Sequence, residues 1–359
     1  MVTPRLVELP YLTHDLPGTG GALRTVDADF VVDEEPAYPP SGVGDHVFVR
    51  IEKRGMNTRH AVISIARALG ISDRDIGVAG MKDRHAVTRQ WLSLPPPVTP
   101  EAALALAIPD VTVLEATRHN HKLRTGHVRA NAFRLRVRGV VPDALDRATA
   151  ILARLVEAPG APNWYGEQRF GRDGDNAAKG RALVSGERRT GRDRKLDRLF
   201  LSALQSELFN AWLVARMADG LYREVLAGDV LHKTTGGMFT SDDPVTDTQR
   251  LRAGELVLTG PMFGVDMRRP PDGTPAAERE DAILVAAGLT RDSFAAVRKL
   301  AEGTRRDATI HVRDGLVTDG GPSTLEVAFA LPGGAYATAV MREVMKTVSV
   351  VVDDTPEAT

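Results

Sequence analysis

Apolar and polar residues alternate over several segments of the chain, and this alternation is typical of β-strands. In its first part the segments with this pattern are 22–33, 45–52, 87–94, 111–116 and 131–137. Successive side chains of a strand point to opposite faces of its sheet. The odd-numbered residues from Asn131 to Val137 therefore share one face, and the arginines from Arg134 to Arg138 share the other. Alternation returns at 308–312 and 323–331.

A helical spacing of apolar residues predicts helices elsewhere. The segments with this spacing are 58–69, 142–156, 197–217, 276–287, 293–301 and 335–346. Asn57 or Thr58 would cap the first of these helices, and Gly70 would end it. The Pro- and Gly-rich segment Ala158-Pro159-Gly160-Ala161-Pro162 separates a strand-rich part of the chain from a helix-rich part. The pattern predicts an α+β protein with a domain boundary at this segment.

The composition is that of a globular protein of more than one domain. A chain of 359 residues exceeds the usual size of a single core, and its 43% hydrophobic and 26% charged residues are ordinary values. The absence of cysteine excludes disulfides and cysteine-ligated metal sites. The first residues lack a signal-peptide pattern, and no apolar stretch approaches the roughly 18 residues of a membrane span. We therefore expect a cytoplasmic protein with no membrane partner.

Positive charge is concentrated in one window, although the formal net charge is only −1. Residues 116–142 contain no Asp or Glu. The basic residues of this acid-free window are Arg118, His119, His121, Lys122, Arg124, His127, Arg129, Arg134, Arg136 and Arg138. Such a window is either a solvated face or a surface that contacts phosphates, whose affinity for RNA would fall steeply with salt.

One carboxylate, that of Asp83, lies among cations in the stretch 80–90. Nearby positive charge favours the ionised form of an aspartate, so Asp83 suits a nucleophile or a fixed anion better than a general acid. A solvated loop with a structural ion pair is one alternative. A metal-dependent nuclease is another, with Mg²⁺ bound by Asp73, Asp75 and Asp83, but the lysine and arginine that flank Asp83 make a poor cation site.

The stretch from Ala79 to Trp91 resembles the signature of the TruD-type tRNA pseudouridine synthases. Further blocks that resemble this family follow in its order between residues 24 and 345. They are Lys53-Arg54-Gly55 with Asn57-Thr58, His119-Asn120 with Lys122-Leu123-Arg124, Asn131-Ala132-Phe133, Asn163 to Gly171, Leu201 to Ser206, and Leu331 to Thr338. An ordered series of blocks is much more specific than any one of them.

This resemblance implies a fold, an activity and a partner. A mixed β-sheet catalytic domain of residues 1–160 and 316–359 would be interrupted by an inserted α/β domain, the TRUD domain, of residues 161–315. The implied enzyme isomerises uridine to pseudouridine in tRNA, at position 13, on a uridine flipped out of its stack. It uses no cofactor and no metal, binds no nucleotide cofactor, and is expected to act as a monomer.

The resemblance also implies roles for individual residues. Asp83 matches the catalytic aspartate of the family. The residues assigned to substrate binding are Arg24, Phe30, Lys82, Asn131, Phe133 and Tyr336. The residues assigned to RNA binding are Lys122 and Arg124, in the acid-free window, and Arg169. Arg24 departs from the family, which usually has lysine there. Arginine can hold an anion at this position, but it does not lose a proton.

Several chemical routes suit an ionised aspartate. The carboxylate could attack ribose C1′, as in retaining glycosidases, add to the uracil ring, or assist removal of a ribose proton. An RNA-binding module without catalysis is the remaining alternative. Asp83 argues against such a module, because a passive binder of a negatively charged ligand needs no carboxylate facing it.

Overall fold

The computed structural model describes residues 8–191 and 193–347, and these divide into two compact units. The sheet unit contains Asp15–Val156 and 312–347, and the helix-rich unit contains 8–14 and Glu157–His311. The chain thus leaves the sheet unit after Val156 and re-enters it at Val312. The assignment of 161–315 as an inserted TRUD domain within a catalytic domain remains a prediction.

The strands are β1 (Gly20–Leu23), β2 (Phe30–Pro36), β3 (His46–Arg54), β4 (Gly77–Val78), β5 (Val87–Leu94), β6 (Val111–His119), β7 (Val128–Val140), β8 (Ala161–Pro162), β9 (Val230–Lys233), β10 (Met238–Thr240), β11 (Leu256–Met262), β12 (Thr304–Asp307), β13 (Thr309–Ile310), β14 (Arg313–Asp319) and β15 (Thr324–Pro332). The helices are α1 (Thr58–Leu69), α2 (Pro100–Leu104), α3 (Ala144–Val156), α4 (Asn176–Val184), α5 (Arg194–Ala218), α6 (Pro244–Arg252), α7 (Pro275–Ala286) and α8 (Ala337–Met345).

The sheet unit is built on a nine-stranded sheet. Its order is β14-β15-β7-β2-β5-β3-β6, with β1 beside β7 and β4 beside β5. β2 and β5 run parallel, and every other pairing of the described strands is antiparallel. The mixed sheet and the separate helices confirm the predicted α+β fold class.

Helix α1 forms where the sequence predicts it. Asn57 Oδ1 accepts a hydrogen bond from His60 N at 2.8 Å and so caps the amino terminus. Gly70 ends the helix in the left-handed region, with φ of 65°. The buried face of α1 covers one side of the sheet. The residues of this core include Ala61, Val62, Ile65, Val47, Val49, Ile51, Leu92 and Leu94.

Two sequence predictions in the sheet unit are wrong in detail. The predicted strand 22–33 is two strands, because the chain turns at Arg24 and forms a 3-10 helix at Asp27–Asp29. In α3, the helical spacing predicts Leu145 on the apolar stripe, but this residue is exposed. The buried stripe includes Ala144, Ile151 and Leu152, and Leu145 lies just outside it, about 20° around the helix from Leu152.

The helix-rich unit is organised around α5, whose 25 residues cover the predicted helix 197–217. Beside it lie a four-stranded antiparallel sheet in the order β10-β9-β11-β12 and the two-stranded pair β13-β8. Its core contains Trp164, Tyr165, Phe209, Trp212 and Leu258. Across the described part of the chain, no helix is long and apolar enough to cross a membrane.

Candidate active site

The candidate site forms at one edge of the sheet, where β2 and β5 begin. These strands are parallel, with Val31 opposite Val87, so their amino-terminal ends lie side by side. The loop before β2 carries Arg24, and the loop before β5 carries Asp83. β3 is antiparallel to β5, so its carboxyl end, near Lys53, reaches the same edge.

The carboxylate of Asp83 is accessible and paired. Arg24 Nη2 donates a hydrogen bond to Asp83 Oδ2, and the Arg24 guanidinium carbon lies 4.0 Å from the ring centroid of Phe30. The Asp83 side chain is 50% exposed, whereas that of Arg24 is nearly buried. A planar guanidinium packed on an aromatic ring is already restrained when it binds a carboxylate. The contact therefore gives an exposed carboxylate a defined orientation.

The loop that presents Arg24 is held in an unusual conformation. Arg24 has a φ of 61°, in the left-handed region that few residues other than glycine adopt. The buried Asp29 closes the loop, since its carboxylate accepts hydrogen bonds from Val26 N at 3.2 Å and from Arg138 at 2.7 and 2.9 Å. Burial raises the pKa of Asp29, but these hydrogen bonds outweigh it and leave the pKa below its usual value. The position of Arg24 thus rests on an ion pair inside the sheet unit.

A buried lysine lies behind the Asp83 loop. Lys53 Nζ donates hydrogen bonds to the main-chain oxygens of Met56, at 2.6 Å, and of Asp83, at 2.7 Å. Lys53 is 0% exposed. Burial lowers its pKa to about 8, and the negative charge of Asp83 opposes this shift. Lys53 is not among the site residues predicted from the sequence, although it belongs to one of the family-like blocks.

Lys82 anchors the same loop from the other side. Its ammonium forms an ion pair with the buried carboxylate of Glu34, on β2. Glu34 Oε1 also accepts a hydrogen bond from Trp91 N at 3.1 Å, and Lys82 N donates to Thr58 Oγ1 at 2.8 Å. The structure thus places Lys82, assigned above to substrate binding, in contacts that fix the Asp83 loop to β2 and α1. Glu34 is a second residue that the sequence analysis missed.

Aromatic rings line the interior beneath Arg24. Phe30 meets Phe133 edge to face, with ring centroids 6.1 Å apart. Phe133 in turn lies 5.5 Å from Phe329, its partner on β15. All three side chains are buried. The structure therefore brings Phe30 and Phe133 together with Arg24 and Asp83. It also places Phe329 beside them, a residue that the sequence predicts in a strand but not in the site.

Asn131 and Tyr336 offer groups to a ligand. Asn131 lies opposite Glu34 on β2 and Leu331 on β15 and shares the face of Phe133. Its Oδ1 is buried, and no described residue forms a hydrogen bond with it. Tyr336 immediately precedes α8 and is 52% exposed. Within the described residues, no ring contact joins Tyr336 to the Phe30 and Phe133 pair.

Part of the acid-free window is paired with acids from elsewhere in the sheet unit. Four of its arginines form ion pairs across the sheet, and the acids come from β2, β15 and the turn before β2. The pairs are Arg129 with Glu35, Arg134 with Asp33, Arg136 with Glu326, and Arg138 with Asp29. The four arginines of β7 are therefore paired with acids of the same sheet unit.

The loop between β6 and β7 carries basic residues and lies against the loop that carries Asp83. Arg124 is exposed, and Lys122 Nζ donates a hydrogen bond to Arg74 O at 2.6 Å. Gly126 N donates to Ala79 O at 2.9 Å, so this loop lies against the start of the Asp83 loop. Lys122 and Arg124 are thus brought close to the candidate site.

Arg169 belongs to the helix-rich unit, in a 3-10 helix at Glu167–Phe170. Its guanidinium donates to the hydroxyls of Ser202 and Ser206 on α5, the latter at 3.1 Å. It also lies 5.4 Å from the ring centroid of Tyr165. These contacts tie Arg169 to α5, and its predicted contact with RNA remains a prediction.

The three aspartates considered as magnesium ligands lie in two separate segments of the chain. Asp73 and Asp75 lie on a 3-10 helix before β4, whereas Asp83 lies on the loop after it. Over residues 8–191 and 193–347, no three His, Cys, Asp or Glu side chains are arranged to hold a metal ion.

Known proteins match this chain over nearly all of its length. The family model described as tRNA pseudouridine synthase D (TruD) matches residues 6–193 and 192–344. A tRNA pseudouridine synthase D from Anaeromyxobacter dehalogenans strain 2CP-C is 52% identical over 350 residues, which are 95% of this chain and 97% of the relative. A protein of that name from Thermus thermophilus is 41% identical over 338 residues, 94% of this chain and 92% of the relative.

A solved structure shares the fold. A Methanosarcina mazei chain assigned to tRNA pseudouridine synthase D superimposes with a TM-score of 0.78 and covers 97% of this chain and 99% of that chain, at 22% identity. The fold and the sequence matches define a pseudouridine synthase, an enzyme that isomerises uridine. The chain belongs to the tRNA pseudouridine synthase D (TruD) family. This confirms the resemblance seen in the ordered blocks.

Proposed function

We propose that this enzyme converts the uridine at position 13 of tRNA to pseudouridine, with Asp83 as its catalytic carboxylate. The observation that carries the proposal is the contact of a half-exposed Asp83 with a nearly buried Arg24 packed on Phe30. In this arrangement a carboxylate faces solvent at a fixed orientation, beside buried aromatic side chains. The names of the relatives, which are those of tRNA pseudouridine synthases, supply the substrate class.

The reaction rearranges bonds within one nucleotide. The bond between ribose C1′ and uracil N1 breaks, the base turns, and C5 forms a bond to C1′. The proton on C5 leaves and N1 gains one, so no atom or electron is gained or lost overall and no redox cofactor is required. Asp83 Oδ1, the carboxylate oxygen that does not accept from Arg24 Nη2 in the structure, would act on the ribose or the base. Attack at C1′, addition to the ring and removal of a ribose proton all suit an ionised carboxylate at this position.

The uridine must leave its stack to reach Asp83, at a cost of a few kcal/mol. Stacking on an aromatic ring returns about 1–3 kcal/mol per base. Tyr336 has an exposed ring and would stack on the base, while the buried Phe30 and Phe133 would form the wall of the pocket. Asn131 Oδ1, which has no partner among the described residues, would accept a hydrogen bond from uracil N3–H.

The macromolecular partner would be tRNA, bound to a monomer in the cytoplasm. Lys122 and Arg124 would contact phosphates near the flipped nucleotide, since their loop lies against the Asp83 loop. Arg169 would contribute from the helix-rich unit. Lys82 would support the Asp83 loop through Glu34 in addition to its assigned place beside the substrate.

The test uses tRNA that carries tritium at uracil C5. Because C5 exchanges its hydrogen for the bond to C1′, each turnover releases one tritium to water. The purified enzyme should release tritium from a tRNA with uridine at position 13 and should release none from the same tRNA with cytidine there. Equal release from both tRNAs would exclude position 13 as the target.

A further inference from the structure

Lys53 is a charged residue on the inward-facing side of strand β3, where the other buried residues are apolar. Val47, Val49 and Ile51 alternate along β3 and lie in the core, and Lys53 takes the next inward position. Its side chain is fully buried. Among the described residues, no carboxylate lies within ion-pair distance of Lys53 Nζ, and its two hydrogen bonds go to main-chain oxygens. A buried ammonium without a carboxylate partner is costly in free energy, so packing alone does not account for a lysine here.

The two oxygens that Lys53 binds belong to different loops. Met56 lies between β3 and α1, and Asp83 lies between β4 and β5. Hydrogen bonds from an ionised donor are about twice as strong as neutral ones. The Lys53 ammonium therefore joins the loop after β3 to the loop before β5. The bond to the second loop is at Asp83, whose carboxylate contacts Arg24.

The other hydrogen bonds of this loop are made by the neighbours of Asp83, such as that from Arg84 Nε to Gly55 O at 3.4 Å. Lys82 is bound through its main-chain nitrogen to Thr58 and through its side chain to Glu34. Those contacts fix the residue before Asp83. The main-chain oxygen of Asp83 itself is held by Lys53.

We propose that Lys53 is a positioning residue for the isomerisation, which holds the main chain of Asp83 so that its carboxylate stays on Arg24 and faces the uridine. This inference rests on the proposed role of Asp83. Lys53 is assigned to the main chain of Asp83 and not to the substrate, because both hydrogen bonds of its ammonium go to main-chain oxygens. A displacement of a reacting group by about 1 Å can slow a reaction about 10²-fold, which sets the scale of the expected effect.

The titration of Lys53 supplies a readout that a purely structural lysine would not give. Burial lowers its pKa to about 8. The charged groups that act on it are Asp83 and Asp27, which raise the pKa, and Lys82, which lowers it. Above this pH the ammonium becomes an amine, its hydrogen bonds weaken, and the positive charge behind Asp83 is lost. The rate of the chemical step should therefore fall as the pH rises through about 8.

The experiment measures tritium release in a single turnover with enzyme in excess over tRNA, from about pH 6 to about pH 9. Lys53→Met, which is neutral and similar in length, should be about 10²-fold slower at neutral pH. It should bind tRNA as tightly as the wild type, and its rate should lack the fall above about pH 8 seen in the wild type. Lys179→Met is the matched control, since Lys179 is partly exposed in the helix-rich unit and pairs with Asp175. It should keep the wild-type rate and pH profile.

The outcomes separate this inference from the proposed function. A folded Lys53→Met variant with the wild-type rate overturns the positioning role. If that variant does not fold, Lys53→Arg decides, because an arginine stays charged throughout the range. A fall in the wild-type rate that Lys53→Arg removes supports the role, and a fall that persists in Lys53→Arg, or a wild-type rate that does not fall, overturns it. Full turnover by Asp83→Asn would overturn the proposed function instead.

Discussion

Lys82 forms a buried ion pair with Glu34 on the neighbouring strand β2. The residue before Asp83 in sequence thus ties the loop to the sheet, while the guanidinium of Arg24 contacts the Asp83 carboxylate. Removing one partner of a buried ion pair leaves an uncompensated charge and is strongly destabilising. Two different cations therefore act on this loop: Lys82 holds it to the sheet, and Arg24 contacts the Asp83 carboxylate.

Asp83→Asn should abolish turnover with little change in fold or tRNA affinity. The amide has the size of the carboxylate but lacks its charge, and loss of a nucleophile costs on the order of 10⁴-fold or more. The measurement is tritium release together with tRNA binding and thermal unfolding. Asp75→Asn is the matched control, because Asp75 is an exposed aspartate on the 3-10 helix before β4, and it should behave as the wild type. Substantial release by Asp83→Asn would refute the assignment.

Arg24→Lys should retain most of the activity, and Arg24→Met should lose up to about 10²-fold, the cost of displacing a reacting group by about 1 Å. A lysine keeps a positive charge beside the Asp83 carboxylate, although it loses the packing of the planar guanidinium on the Phe30 ring. Rates for both variants at saturating tRNA provide the check. If Arg24→Met were as active as the wild type, the Arg24 contact with Asp83 would have no part in catalysis.

Tyr336→Ala should weaken binding of the flipped uridine by about 1–3 kcal/mol, the value of a stacked base. Since Tyr336 is exposed, the unfolding temperature should hardly change, and Tyr336→Phe should restore binding. Phe133→Ala should behave differently. Phe133 is buried between Phe30 and Phe329, so its truncation should also lower the free energy of unfolding by about 3–5 kcal/mol. Wild-type binding and rate in Tyr336→Ala would remove Tyr336 from the pocket.

Lys122→Ala with Arg124→Ala should weaken tRNA binding without changing the rate at saturation. Each lost phosphate contact should lower the salt dependence of binding by roughly one unit of slope. Arg134→Ala with Arg136→Ala removes the same charge, but those residues are paired with Asp33 and Glu326, so this control should alter the slope less. Titration of tRNA at several salt concentrations decides. If the salt dependence of tRNA binding has the same slope in both double variants, Lys122 and Arg124 contribute no more to phosphate binding than the paired arginines do.

Lys53 should affect stability and activity in opposite directions as the pH rises. Its folded pKa of about 8 lies below the ordinary lysine value of 10.5, so between these values the unfolded chain binds a proton that the folded chain does not. The free energy of unfolding gained from this group therefore increases with pH in that window. Urea unfolding of the wild type and of Lys53→Met should show the wild type gaining relative stability across it. A constant difference between the two proteins would contradict the depressed pKa.

Local patterns predict several parts of this molecule well. The strand predicted at 87–94 is Val87–Leu94, and the cap and end of α1 are Asn57 and Gly70, as expected. These features depend on residues close together in the chain. The cations next to Asp83 in sequence are also a local feature and draw attention to that residue, although the cation that contacts its carboxylate, Arg24, lies 59 residues away.

Features that depend on distant residues escape such patterns. The alternation of β3 places Lys53 inward, but its partner, the main-chain oxygen of Asp83, lies 30 residues further along. The acid-free window is likewise defined by neighbours in sequence alone. Four of its arginines pair with acids from elsewhere in the sheet unit, such as Glu326, which lies 190 residues from Arg136. Strand register, which sets such pairings, is not visible in a single sequence.

The parallel register of β2 and β5 has a consequence for how this enzyme becomes active during folding. Arg24 and Asp83 are separated by 59 residues, and they meet because Val31 lies opposite Val87. A slip of one residue would turn the side chains of the strand to the opposite face. Pairing between distant segments is also slower to form than local helix contacts. The Arg24–Asp83 contact therefore requires this one pair of strands to close in register, and we expect it to form later than helix α1, whose cap and end depend on neighbouring residues.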